Sequence, residues 1–497
     1  MVGRMRVARL AIAFVVLGCC VAASPVASPR PPLTADQIAS IDRFVAAEMS
    51  ATHMPGAAVG IYSRGNILLA KGYGLANVEL NVPVQPQTIF QSGSVGKQFV
   101  SAAIMMLVEQ GRVSLDDSIT KYFPDAPASW KPILVKNLLS HTSGLAEYET
   151  DERTAPNGPF YLRLDFTEAQ LLRKIEALPI EAPPGVKWDY RNTNYVLLGM
   201  LIHRVTGVFY AEYLAEHIFK PLGMSSTRLI SESEIIPNRA AGYQWDGTLK
   251  NQDWVSPTFN STADGTLYFN VLDLAKWDAA LYTTSLLSQR SLDRTWTVYK
   301  LRNGKPNPAN YGFGWEITTQ NGHRLIEHDG AWQGFTCSIQ RYPNDSLTVV
   351  VLTNLDADHA RPEYMATVIA GLADSPLLPK KLSQIPDDRP QIARSLTLLL
   401  DALSSGANAS ALVTSDMAQV IELAGPAVRR RLSPLWPGGT LTLVERRPSP
   451  ADPTLTASRF RLTKDTHSIL IWFRLDAGGK AASLFFEPDQ EYREPTD

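Results

Sequence analysis

The stretch that most constrains this chain is FQSGSVGKQFVSAAIMMLVEQG, Phe90 to Gly111. Ser94 to Gln110 reads as a helix ended by Gly111, with apolar side chains at Phe99, Val100, Ala103, Ile104, Leu107 and Val108. Apolar residues also fill its other faces, so it must sit inside a folded body rather than on a surface. Its first turn nevertheless carries a lysine, Lys97, three residues after Ser94.

Residues three apart on a helix share a face, with Cβ atoms ~5–6 Å apart, so the Lys97 amine can reach the Ser94 hydroxyl. A serine nucleophile needs a base, and lysine fills that role only if its pKa falls from ~10.4 toward ~7–8. The shift is about 3 units, or roughly 4 kcal/mol. A helix N-terminus supplies at most ~2 kcal/mol, and burial must supply the rest. Ser118 to Lys121 also matches S-x-x-K, but it leads into YFPD with no buried helix behind it. Gly96-Lys97 is not a phosphate loop, because Gln91 and Gln98 stand where that motif needs glycine and Ser or Thr. The chain has no G-x-S-x-G elbow, no H-E-x-x-H helix and no Cys/His cluster, so no metal site is expected.

With 497 residues, 45% hydrophobic and 19% charged, the chain is long enough for two domains with a large core. A net charge of -2 and the absence of long like-charge runs argue against nucleic acid as a partner. Residues 1–23 read as a signal peptide: Arg4, Arg6 and Arg9, an apolar run, then small residues with cleavage after Ala23. Export to the periplasm or medium is expected, and a lipid anchor at Cys19 is the alternative. No other apolar stretch of ~20 residues suggests a membrane span. Cleavage leaves Cys337 without a disulfide partner, and it reads as a small strand residue in FTCSIQRY.

Strands are expected in GAAVGIYSRGNILLAKGYG, in HRLIEHDG and FTCSIQRY, and in SLTVVVLTN, with helices between the early and late ones. The spacing predicts one domain over residues 35–373 whose sheet is closed by late returning strands, then a proline-rich linker over 374–390. Residues 391–497 read as a small α+β module with helices in ARSLTLLLDAL and DMAQVIELAGPAVRRRL, followed by four strands. That module suits packing or ligand recognition.

With S-x-x-K at 94–97, LLSHTSGL at 138–145, PPGVKWDYRNTNYVLLG at 183–199, PLGM at 221–224, YGFGW at 311–315 and HDGAWQGF at 328–335, the chain resembles the penicillin-recognising serine hydrolases. The resemblance covers about residues 35–373 and points to the branch of class C β-lactamases, D-aminopeptidases, DD-peptidases and β-lactamase-fold esterases. It implies an α/β fold with an antiparallel sheet flanked by helices and a helical subdomain. It implies no cofactor.

By resemblance, Ser94 is the nucleophile, Lys97 its base and Tyr190 a proton relay, with Asn192 bonding the substrate carbonyl. Tyr268-Phe269-Asn270 and Tyr342-Pro343-Asn344 also match Y-x-N, but only Tyr190 follows a Pro-Gly turn and precedes an apolar helix. A phenol near pKa ~10 needs a cation to ionise, so Lys97 and Tyr190 are expected to titrate together. The resemblance places an oxyanion hole at the backbone N–H groups of Ser94 and Ala331. His328-Asp329-Gly330 stands where many relatives have K-T-G, with His328 and Gly330 facing the substrate. A histidine with pKa ~6.5 supplies no fixed charge for a substrate carboxylate.

His141 reads as a structural hydrogen-bonding residue. Tyr195 and Trp188 read as packing or cleft-lining residues, Trp315 and Trp332 suit core and cleft equally, and Arg191 faces either solvent or the cleft. The resulting expectation is an exported serine hydrolase that forms an acyl-enzyme. D-amino-acid peptides come first as substrates, short-chain esters next and β-lactams third, and a non-hydrolytic binding relative is the alternative.

Overall fold

The computed structural model describes residues 29–379, 382–415, 417–418, 421, 425, 428–429, 432–448, 455–465 and 467–489. The expected signal peptide with Cys19, and much of the expected helix over 416–432, lie outside the described residues.

Seven strands form the main sheet: β1 (Gly56–Ser63), β2 (Asn66–Asn77), β3 (Val82–Pro83), β4 (Glu316–Gln320), β5 (His323–Trp332), β6 (Phe335–Tyr342) and β7 (Leu347–Thr353). Their order is β3-β2-β1-β7-β6-β5-β4, so the late strands return to pair with the first, as in the register Val59 opposite Val351. The pairings from β2 through β4 are antiparallel. Because successive side chains leave a strand on opposite faces, β1 feeds two cores. Ala57, Val59 and Ile61 pack with helices α1 (Ala35–Thr52) and α4 (Pro362–Ala373), through Ile41, Phe44, Val45, Met365 and Ile369. Ala58 and Tyr62 face the helical block that holds α2 (Lys97–Glu109) and α3 (Asn192–Thr206).

Ten of the thirteen residues of α2 are buried, which is the all-round burial its sequence demands. Fully burying each large apolar side chain is worth ~1.5–3 kcal/mol, and that drive carries Lys97 into the interior with the helix.

Toward the C-terminus, β8 (Thr440–Pro448), β9 (Thr456–Lys464), β10 (His467–Leu475) and β11 (Ala481–Pro488) form an antiparallel meander. Helix α5 (Pro390–Ser405) packs Leu396, Leu399 and Leu403 against Phe460, Ile471 and Phe473, giving this sheet a core of its own. Among the described residues no helix is long and apolar enough to cross a membrane, and no group of His, Cys, Asp and Glu side chains is placed to hold a metal ion.

Candidate active site

The expected single helix begins as a 3-10 turn, Gly93–Gly96, and becomes α-helical at Lys97. Gly93 adopts a positive φ of +44°, and a Cβ there would lie 2.2 Å from the Ala331 nitrogen. At Gly330 a Cβ would lie 2.3 Å from the Ser92 carbonyl oxygen and 2.9 Å from the Ser94 nitrogen. Only glycine at both positions lets β5 press its backbone onto the serine turn. Pairing with β4 ends at Glu327, so the segment His328–Trp332 meets the turn along an edge that β4 does not cover. The peptide nitrogens of Ser94 and Ala331 thereby come to one junction.

Lys97 Nζ lies 2.8 Å from Ser94 Oγ and 2.9 Å from Asn192 Oδ1, and it also donates to the Asp264 carbonyl oxygen. Burial pulls its pKa down to about 8, while the charges of Asp264, Glu147 and Glu149 oppose the shift. Removal from water therefore outweighs three nearby carboxyls, and an amine that is easily deprotonated touches the serine.

The Tyr190 ring lies against the same amine, with its centroid 5.0 Å from Lys97 Nζ. Its hydroxyl is buried beside the Ser94 hydroxyl. Burial raises its pKa well above the ordinary phenol value, with the Ser94 hydroxyl only partly opposing the rise. Burial thus shifts the phenol up and the amine down.

Asn192 opens α3, where its Oδ1 accepts from Lys97, its Nδ2 donates to Glu149 Oε2 at 2.8 Å and its backbone N–H donates to Glu147 Oε2. His141 packs on Tyr190 with ring centroids 4.2 Å apart. Its Nδ1 accepts from the Arg191 backbone N–H and the Asn194 amide, both at 3.2 Å, which places the proton on Nε2. Burial, aided by the Lys97 charge, holds its pKa well below the usual imidazole value.

His328 is buried, donates from Nδ1 to the Asp329 carbonyl at 2.6 Å and accepts at Nε2 from the Tyr311 hydroxyl at 2.9 Å. Burial, reinforced by Lys97, pulls its pKa to about 3, so it is neutral at pH 7. With Gly330, Ala331, Tyr190 and Ser94 it lines a cavity of about 340 Å³. Its nitrogens thus serve the protein's own framework while its ring borders the cleft.

Several rival readings end here. Ser118 caps a short turn, and Lys121 is exposed and paired with Asp117 at 2.8 Å. Tyr268 belongs to a separate small core, and the Tyr342 hydroxyl bonds Gln320 and Gln340. The Cys337 thiol is buried and donates to the Ser92 carbonyl, and burial raises its pKa. Arg191 is taken up by Glu181 and Asp189, both at 2.8 Å, and so adds no free cation to the cleft. Trp315 is core, whereas Trp332 lines the cleft and donates to Asn260 Oδ1 at 2.8 Å.

Sequence reasoning passed over Glu147, Glu149 and Asp264, the three carboxyls around Lys97. The signal for the first two was the alternation in AEYE just after HTSGL, which sets Glu147 and Glu149 on one side of the chain and Tyr148 on the other.

A seven-stranded antiparallel sheet with a helical block, and a Ser–Lys pair at the head of a buried helix, define a β-lactamase-fold serine hydrolase. The Beta-lactamase family model matches residues 41–374, and the chain belongs to that family. It is 28% identical over 313 residues to penicillin-binding protein 4* of Bacillus subtilis strain 168, covering 59% of this chain and 67% of the relative. It is 29% identical over 338 residues to protein flp of Staphylococcus aureus strain MW2, covering 66% of this chain and 65% of the relative. The chain thus spans about two thirds of the length of these relatives. Its fold is similar to the octameric penicillin-binding protein homologue from Pyrococcus abyssi, with a TM-score of 0.60, 23% identity and coverage of 91% and 97% of the two chains. It is also similar to a D-stereospecific amidohydrolase from a Streptomyces species, with a TM-score of 0.54, 23% identity and coverage of 65% and 95%.

Proposed function

We propose that the protein is an exported amidohydrolase that cleaves amides or peptides of D-amino acids through an acyl-enzyme on Ser94. The contact between Lys97 Nζ and Ser94 Oγ carries this reading. Neutral Lys97 takes the serine proton as Oγ attacks the substrate carbonyl. The oxyanion forms toward the Ser94 and Ala331 nitrogens, where one donor is typically worth ~3 kcal/mol. The neutral Tyr190 phenol passes a proton to the leaving amine and is restored from Lys97, and the carbonyl–nitrogen bond breaks. Water then attacks the ester as Lys97 takes its proton, and Lys97 returns that proton to Ser94 Oγ as the carbonyl–Oγ bond breaks and the acid leaves. Asn192 orients the carbonyl, and His328 and Gly330 shape the cleft. Likeness to the D-stereospecific amidohydrolase from Streptomyces supports the D-amino-acid substrate class, and the arginine-led apolar start of the chain supports export.

The test is a panel of D-alanine p-nitroanilide, a p-nitrophenyl ester and a chromogenic cephalosporin, run on the protein and on Ser94→Ala with intact-mass detection of an adduct. The anilide should be turned over and the acyl group trapped on the wild type only. Turnover of the ester alone would make the protein an esterase, and absence of any adduct would remove the hydrolase reading.

A further inference from the structure

A second cavity lies behind the segment that holds Lys97. It has a volume of about 280 Å³ and is walled mainly by Phe166, Leu171, Val196, Met200, Phe209 and Tyr210. Leu171 comes from the helix Glu168–Glu176, Val196 and Met200 from α3, and Tyr210 from the short helix Tyr210–Leu214. Neither Ser94 nor Ala331 borders it. An apolar cavity of ~150 Å³ is enough to bind benzene, so this space takes a larger molecule. Apolar walls between helices, with a few polar groups among them, are the usual setting of a small-molecule site.

The hydroxyls that border the cavity have already committed their hydrogens. Those of Thr258, Ser261 and Thr262 donate to the carbonyls of Phe166, Thr258 and Phe259 at 3.0, 2.9 and 3.2 Å. Tyr210 donates to the Thr262 carbonyl at 2.8 Å. Their oxygens can still accept. At the mouth His203 Nδ1 meets Glu168 Oε2 at 2.8 Å, and both side chains are partly exposed. A carboxylate, which only accepts, would find no hydroxyl donor inside and the Glu168 carboxyl at the entrance. An ammonium would lose its water to apolar walls that hold no buried carboxyl to offset the cost. A hydroxyl donates one hydrogen bond and brings no charge.

We propose that this cavity is a second binding site, distinct from the acyl-enzyme cleft, for an uncharged alkyl or aryl alcohol whose hydrocarbon part lies among Leu171, Val196 and Met200. The inference does not depend on which bond Ser94 cleaves. The site is nonetheless one layer of chain away from the catalytic amine. Thr262 borders both this cavity and the inner space of about 20 Å³ beside Ser94. At Gly199 a Cβ would lie 2.4 Å from Ala263 Cβ, so glycine there lets α3 rest directly on the segment 262–266. Tyr210 ties that segment at Thr262, and Lys97 donates to the Asp264 carbonyl within it. A ligand in the cavity therefore touches one side of a wall whose other side holds Lys97.

The test is calorimetric titration of the full-length protein with straight-chain alcohols from 1-butanol to 1-octanol. Affinity should rise about fourfold per added CH₂ and level off at the chain length that fills the cavity. Leu171→Trp, which sets an indole in the space, should abolish 1-hexanol binding. Met200→Ala enlarges the space and should move the levelling-off to a longer alcohol, a readout that stands even if Leu171→Trp does not fold. Trp332→Ala, in the catalytic cleft and away from this cavity, should bind 1-hexanol as the wild type does. The reverse pattern, with binding lost in Trp332→Ala and kept in Leu171→Trp, would place the alcohol in the catalytic cleft and overturn the site. Absence of binding, or an affinity indifferent to chain length, overturns it as well. Tighter binding of hexanoate or hexylammonium than of 1-hexanol would overturn the assignment of an uncharged ligand.

Discussion

Ser94 Oγ stands 2.8 Å from Lys97 Nζ, one turn further along a backbone that changes from 3-10 to α-helix between them. The amine is held on its other sides by Asn192 Oδ1 and the Asp264 carbonyl, so its position does not depend on the serine. The pair is thus already formed before any substrate arrives.

The first prediction concerns pH. Lys97 acts as a base only when neutral, and burial sets its pKa at about 8. The kcat/KM of the free protein should rise tenfold per pH unit below that value and level off above it. Lys97→Arg keeps the charge but stays protonated, since its pKa exceeds ~12. It should lose ~10²–10⁴-fold in rate, the range for a missing general base. A flat profile from pH 6 to 9 would mean that Lys97 is not the base.

The second concerns the contact of β5 with the serine turn. In Gly330→Ala the new methyl meets the Ser92 oxygen at 2.3 Å and the Ser94 nitrogen at 2.9 Å, both backbone atoms that cannot swing aside. Forced overpacking costs ~1–3 kcal/mol, and a displaced oxyanion donor costs ~10²–10³ in kcat. Thermal unfolding and kcat should therefore fall together. An unchanged kcat would show that the Ser94 and Ala331 nitrogens do not act jointly.

Much of this site was legible because its signals are local. A helix apolar on every face had to be buried, and Ser94 and Lys97 are three residues apart within it. The strands that close the sheet announced themselves by alternation, as in FTCSIQRY for β6. The carboxyls were hidden for the opposite reason. Tyr148 and Asp264 bond across 116 residues of chain, and nothing local in TADGT distinguishes Asp264 from a solvated loop acid. Arg191 was left open between solvent and cleft because one of its partners, Glu181, becomes a neighbour only once the loop before α3 folds back on itself. The upward shift of the Tyr190 phenol was hidden for the same reason: sequence gives a phenol's neighbours more readily than its burial.

The third prediction is a stability effect of opposite sign to that of the buried acids. His328 has a folded pKa of about 3 and an unfolded value near ~6.5, so between these values the unfolded chain binds more protons. Its contribution therefore destabilises the fold progressively as pH falls through that window. Glu316 and Glu327, raised by burial to about 7, act the other way and gain stability as pH falls below that value. The clean quantity is the difference in Tm between wild type and His328→Gln, in which the carboxyl contributions cancel. Wild type should lose ground to the variant between pH 7 and pH 4. A constant difference would place a protonated imidazole in the fold.

The fourth prediction separates a positioning residue from a catalytic base. His141 is buried, packs on Tyr190 and sits in an S-H-T-S-G run that invites comparison with hydrolase triads. Yet its Nδ1 is occupied by the Arg191 and Asn194 N–H groups, and Lys97 rather than His141 is hydrogen-bonded to Ser94. Its work is to hold the backbone at Arg191, and through it the neighbouring Tyr190, in place. His141→Gln retains an acceptor of similar reach, while His141→Ala leaves two buried donors unpaired at ~1–3 kcal/mol. The glutamine variant should lose about tenfold or less in kcat and the alanine variant more, with the limb near pH 8 unmoved in both. A triad base would instead cost ~10⁴ in kcat in either variant. It would also replace the Lys97 limb with one near the imidazole range, which the pronounced depression of the His141 pKa by burial argues against.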